Sequence, residues 1–321
     1  MSTVQPCTSA STYTAPLFIP HSARDEWKDV QPVLQEDGPS PVAAILYKPE
    51  YQSAMDYFRA VCVSGEKTQR VLDLTASIIS QNAAHYTVWK LRADCLEALN
   101  ADYDREMEWL NKLSVYQPKS YQIWHHRLVV IERLGNPANE RPFLNQMLAD
   151  DSKNYHLWTY RQWVLAKFGR TREFWDDELL DVNTFLDKDV RNNSAWTHRY
   201  FYFGNRPQGF GDIDFEKEME YVIIKIKLAP HNESPWSYAR GIIKYHNQSL
   251  DQVQSLVSLA QDYVKSHISQ ALLYMLDVYE LQLKKGENDA KASAQKVLEL
   301  LTQHDPIRKE YWKYRQLDFS K

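Results

Sequence analysis

Cysteine is scarce: Cys7, Cys62 and Cys95 stand far apart in 321 residues and show no ligand spacing, which argues against a disulfide framework and against a zinc site. A reducing, cytoplasmic home fits that usage. No segment is apolar over the length a bilayer demands, so membrane insertion is not expected. The first twenty residues are rich in Ser, Thr and Pro and lack the basic start and apolar run of a signal peptide; residues 1–22 read as a disordered tail. With no secretory route, the sequon-like triplets at Asn192 and Asn247 carry no meaning. Positive charge is not in excess either: the net charge is −4 and the basic clusters at 225–227 and 308–315 are short, so nucleic acid is not an expected partner. Strand-like alternation, a glycine-rich phosphate loop and a Ser/His/Asp series are all missing.

What is present is a repeat. Trp89, Trp124, Trp158, Trp196, Trp236 and Trp312 are set 34 to 40 residues apart, except for a final gap of 76 that spans two repeats with one tryptophan missing. An arginine follows three places later as Arg92, Arg127, Arg161, Arg199 and Arg315, and slips to Arg240 after Trp236. Four places earlier stand Ser120, Asn154, Asn192 and Asn232, residue types whose side-chain oxygens cap helix N-termini. Pro118, Pro230 and Pro306 precede the cap position and help stop the helix before it. Each copy reads as stop, cap, helix.

Second helices complete the pairs. Phe215, Met219, Val222, Ile223 and Ile226 form an apolar stripe of helical period, and breakers such as Gly135-Asn136-Pro137 and residues 206–211 separate the helices. The pattern predicts an all-α fold, a right-handed α-solenoid of paired antiparallel helices, whose units bury their apolar faces against neighbours. Residues 23–321 are expected to form one such domain of about seven helix pairs. Residues 25–47 read as an irregular entry segment. A first helix follows Pro49, with Met55, Phe58 and Cys62 as its stripe; its partner spans 66–81, and another helix runs near 101–117.

One copy carries an extra feature. Lys119 stands just outside the Ser120 cap position, with Tyr121 and Gln122 at the first two helical positions. A helix start offers free N–H groups and about half a positive charge; a lysine beside it adds a full one, favouring an anion such as phosphate or carboxylate. Asn154, Tyr155 and His156 occupy the corresponding place one unit along, so the two groups are expected to line one edge. His125-His126 is not read as a metal site, since adjacent helical residues point in different directions and no carboxylate completes a tetrahedral set.

These cap-x-x-x-Trp-x-x-Arg units resemble the α subunit of protein prenyltransferases, in particular the subunit shared by farnesyltransferase and geranylgeranyltransferase type I. The likeness runs from Trp27 to about Arg315. It is most specific at Trp27-Lys28-Asp29-Val30 with Pro32, Asp37-Gly38 and Pro41-Val42, then at residues 55–60, at residues 118–127, and at 154–158. The resemblance implies a crescent wrapped around a β subunit that holds the catalytic zinc, with magnesium accompanying farnesyl or geranylgeranyl diphosphate and C-a-a-X proteins as substrates. It implies that Lys119 stabilises the leaving diphosphate, that Tyr121 lies near it, and that Gln122 binds the peptide's terminal carboxylate. Asn154, Tyr155 and His156 are expected to border the active site and substrates. Ser120 replaces the asparagine of many relatives, with little change expected because both types cap. Two other readings exist: a non-catalytic scaffold of the same repeats, which would not need Lys119 with Tyr121 and Gln122, and the Rab geranylgeranyltransferase α subunit, which has no use for Gln122.

Overall fold

The computed structural model describes residues 18–43 and 45–318, and among them every regular element is helical. They group into two compact units divided between Asn136 and Pro137, at the Gly-Asn-Pro breaker. The first unit holds α1 (Pro49–Ser64), α2 (Gln69–Gln81), α3 (Tyr86–Ala98), α4 (Tyr103–Tyr116) and α5 (Tyr121–Leu134). The second opens with α6 (Glu140–Asp150), α7 (Tyr155–Phe168), α8 (Arg172–Lys188), α9 (Asn193–Asn205) and α10 (Asp212–Leu228). It continues through α11 (Glu233–Tyr245), α12 (Gln254–Val264), α13 (Ser269–Lys284), α14 (Ala290–His304) and α15 (Lys309–Asp318). Gly135 ends α5 with φ +68°, a left-handed conformation that glycine adopts without steric cost.

The register tryptophans are buried where successive helices meet, and each indole N–H finds an acceptor. Trp89 donates to Ala83 O at 2.8 Å, Trp124 to Pro118 O at 2.9 Å, Trp158 to Ser152 O at 2.9 Å, Trp196 to Val190 O at 2.8 Å and Trp236 to Pro230 O at 3.0 Å. Each bond closes the connecting turn onto the helix it leads into, and satisfies a donor that burial would otherwise strand. The missing tryptophan is Leu272, four residues after the N-cap Ile268 of α13; it is fully buried in the last core cluster with Leu276, Leu298 and Trp312.

Arg92, Arg127, Arg161 and Arg199 are buried as well, and for three of them the reason is a carboxylate that the tryptophan register does not reveal. Arg92 grips Glu106 through two bonds of 2.7 and 2.6 Å, Arg161 grips Glu178 at 2.5 and 2.9 Å, and Arg199 grips Glu218 at 2.5 and 2.6 Å. The next repeat then adds a second donor, two places after its own tryptophan position. His126 meets Glu106 at 2.8 Å, His198 meets Glu178 at 2.5 Å and the Tyr238 hydroxyl donates to Glu218 at 2.5 Å; Tyr160 does the same for Glu140 at 2.7 Å. All four glutamates precede their His or Tyr partner by twenty residues. Burial pushes the Glu178 carboxyl up, but Arg161 and the His198 bond more than offset it and hold the group at about 2. A buried charge survives only when paired this completely.

Three expectations change. Cys62 is exposed; the buried stripe of α1 is Ala54, Tyr57, Phe58 and Val61, one position out of step with the sequence reading. Ile223 is only half-buried in α10, whereas Phe215, Met219, Val222 and Ile226 are core. Of the tail expected over residues 1–22, residues 1–17 lie outside the described residues, but His21 is buried, stacking near Trp27 and Tyr57 with its Nδ1 3.0 Å from Ser53 Oγ.

Candidate active-site edge

The start of α5 gathers the first group of candidates. Lys119 is exposed in the turn that joins α4 to α5, Tyr121 is the first helical residue and is exposed, and Gln122 beside it is half-buried. Tyr121 and Gln122 line an open cleft of about 450 Å³ between α3 and α5, together with Tyr86, Lys90 and His125. The floor is aromatic: Trp89 and His126 also border the cleft, their rings 4.9 Å apart. The two neighbouring histidines thus divide as their helical positions demand, His125 onto the cleft and His126 into the core against Glu106.

Ser120 does not act as the sequence led us to expect. Its side chain makes no cap bond, and its Oγ lies buried without a hydrogen-bond partner. The N–H groups of Gln122 and Ile123 therefore receive no side-chain acceptor from the cap position. Asn154 is the opposite case. It is buried at the start of α7 and accepts from His156 N at 2.9 Å and Leu157 N at 3.2 Å. Tyr155 is exposed, and its ring meets the half-buried ring of His156 edge-on at 5.6 Å. Burial lowers the His156 pKa, which leaves the imidazole neutral at physiological pH.

Lys119, Tyr121 and Gln122 therefore stand together in the first unit, and Asn154, Tyr155 and His156 stand together at the equivalent helix start of the second. Sequence reasoning passed over Tyr86 and Lys90 and weighed His125 only as a metal ligand; all three line the cleft. Tyr86 was legible, since it holds the same place before Trp89 that Tyr121 holds before Trp124. Lys90 was not, because an exposed lysine paired to Asp94 at 2.5 Å looks like any solvated helix pair.

A protein built from repeated helix pairs, with indole bonds closing five of the connecting turns and a lysine ahead of one helix start, is a prenyltransferase α-type repeat protein. The family model for the protein prenyltransferase alpha subunit repeat matches residues 103–134, 137–168, 175–206 and 215–246. The protein farnesyltransferase/geranylgeranyltransferase type-1 subunit alpha of Dictyostelium discoideum is 38% identical, over 93% of this chain and 94% of its own. That of Solanum lycopersicum is also 38% identical, over 93% and 90%. Among solved structures, Candida albicans protein geranylgeranyltransferase-I complexed with GGPP matches with TM-score 0.83 and 29% identity, covering 91% of this chain and 98% of that one. The chain belongs to the family of farnesyltransferase/geranylgeranyltransferase type-1 α subunits.

Proposed function

We propose that the chain pairs with a β subunit to transfer farnesyl, or with a second kind of β subunit to transfer geranylgeranyl, onto the cysteine of C-terminal C-a-a-X sequences. In that reaction a bond forms between the cysteine sulfur and the first isoprenoid carbon, the bond from that carbon to oxygen breaks, and diphosphate leaves. The observation that carries the reading is the start of α5, where an exposed Lys119 precedes a helix terminus without a side-chain cap, and Gln122 and Tyr121 open onto one cleft.

Lys119 stabilises the negative charge that grows on the departing diphosphate, and the positive end of α5 adds to that field. Gln122 presents a neutral amide, suited to a peptide carboxylate, and Tyr121 offers a hydroxyl beside it. Asn154 holds the start of α7 rigid, and the neutral His156 serves as a hydrogen-bonding group without adding charge. Magnesium would accompany the diphosphate. Zinc is assigned to the β subunit, where it would hold the substrate cysteine as thiolate; among the described residues of this chain no group of three His, Cys, Asp or Glu side chains could hold a metal. We assign no step on this chain to either ion.

The test is prenyl transfer to a C-a-a-X peptide after co-expression with each β subunit. Lys119→Ala is expected to lower turnover at least tenfold, about 1.4 kcal/mol of barrier, in a heterodimer that still assembles. Unchanged turnover would remove Lys119 from the mechanism.

A further inference from the structure

Beyond Trp27 and Val30, which pack on the core, the entry segment becomes an arm with Leu34, Val42, Ile45 and Leu46 on the outside. Both ends are anchored to α1: Val33 N–H donates to Asp56 O at 3.1 Å, Arg59 Nε donates to Val33 O at 2.8 Å, and the Tyr47 ring rests 5.5 Å from that of Tyr51. Between those anchors four aliphatic side chains face water. Val42 and Leu46 are essentially fully exposed, at 106% and 95%, and Leu34 and Ile45 are about two-thirds exposed. Residues 38–47 contain no charged side chain, although a quarter of the chain is charged.

A solvated loop has no physical reason to be built this way. Conformational entropy disfavours ordering a chain, and exposed aliphatic groups add no stability until something covers them. Within five residues, Val42, Ile45 and Leu46 expose on the order of 300–400 Å² of aliphatic surface, the scale at which exposed apolar surface marks an interaction site. Depletion of charge is the compositional mark of an interface core. We infer that this arm, through Val42, Ile45 and Leu46, docks against the β subunit. The inference rests on the subunit reading above and adds to it a second point of attachment, distinct from the edge that carries Lys119.

Area decides between the occupants. A stable interface takes roughly 800 Å² from each partner, so two arms meeting in a pair of identical chains would fall well short. A partner that also engages the chain elsewhere needs only the contribution that the arm supplies. The β subunit is such a partner.

The experiment compares the full chain, alone and with its β subunit, by hydroxyl-radical footprinting of the peptide that covers residues 38–47. A second arm measures subunit affinity for the variant Val42→Ser/Ile45→Ser/Leu46→Ser. The docked arm predicts strong labelling in the isolated chain, at least fivefold less in the heterodimer, and subunit affinity at least thirtyfold weaker in the triple variant. Thermal stability of the isolated variant should match wild type, because these side chains are exposed. A heterodimer that forms and turns over while the arm stays fully labelled overturns the inference and leaves the subunit reading standing. Failure to form any complex overturns both. Protection in the isolated chain also overturns it: if protection rises with concentration, a second copy covers the arm, and if it vanishes on deleting residues 1–17, the chain's own N-terminal segment does.

Discussion

The helix start at α5 and those at α9 and α11 follow one backbone plan and differ in what the cap residue does. Asn192 accepts from Ser194 N at 3.1 Å and Ala195 N at 3.3 Å, while its amide donates to Ser152 O at 3.0 Å, the carbonyl that also receives the Trp158 indole. Asn232 repeats the arrangement, accepting from Ser234 N at 3.3 Å and donating to Val190 O at 2.8 Å, alongside the Trp196 indole. Each asparagine thus caps its own helix and ties it to the turn of the repeat before. Ser120 lacks the amide and makes neither bond. The indole bond from Trp124 to Pro118 O persists there at 2.9 Å, so the turn keeps its shape without the asparagine bonds. The comparison separates two roles: the tryptophan closes all three turns, and the asparagine reinforces the two that do not carry the lysine of the proposed site.

Four measurements test that separation, beginning with the buried network on which both kinds of start depend. Glu178→Ala leaves Arg161 and His198 buried without their shared carboxylate, and should cost about 3–5 kcal/mol of unfolding free energy, read by denaturant titration. A loss near 1 kcal/mol would mean that Asp181, 2.6 Å from the Arg161 guanidinium, takes over the pairing. The same residues set an acid limit. His198 lies below its usual value because burial outweighs its bond to Glu178, and Glu178 itself is held at about 2. In both cases the unfolded chain binds protons more readily, so stability is full above pH 6.5, falls first as unfolded histidine protonates and falls further between 4.5 and 2. A melting temperature flat from pH 7 to 3 would contradict this.

Trp124→Phe removes the indole donor at the start that has no asparagine, at an expected cost of about 1–3 kcal/mol. Trp158→Phe should fall nearer the lower end, because Asn154 continues to cap α7; equal costs would show that the caps do not share the load. The smallest effects concern the caps themselves. Asn192→Ala should lose about 1 kcal/mol, and Ser120→Asn should gain up to about 1 kcal/mol by restoring a cap bond. A Ser120→Asn protein no more stable than wild type would mean that the α5 start cannot accept the asparagine geometry.

The break in the register at Trp236 follows the same logic. Arg127, Arg161 and Arg199 each donate to an asparagine sixteen residues earlier, Asn111, Asn145 and Asn183. In the copy at Trp236 the two positions become Ala239 and Ile223, so both members of the polar pair are apolar at once. The displaced Arg240 pairs instead with Asp277 of α13 at 2.9 Å. A slip that looked like noise in one residue is a matched change in two.

Local rules in the sequence were enough to set the helical repeats, their order and the place of each tryptophan, because caps, breakers and a 3.6-residue apolar period act within a few residues of one another. The position of Lys119 ahead of a helix start was legible for the same reason. Tertiary structure alone decided which carboxylate meets which arginine. Arg92, Arg161 and Arg199 find Glu106, Glu178 and Glu218 at separations of 14, 17 and 19 residues, a spread that no fixed spacing encodes. It also decided that His126 serves the core while His125 faces the cleft, that Ser120 leaves its helix uncapped, and that Val42 and Leu46 stand in water. Burial, unlike helical period, is a property of what packs against a residue, and that is fixed only when distant parts of the chain come together.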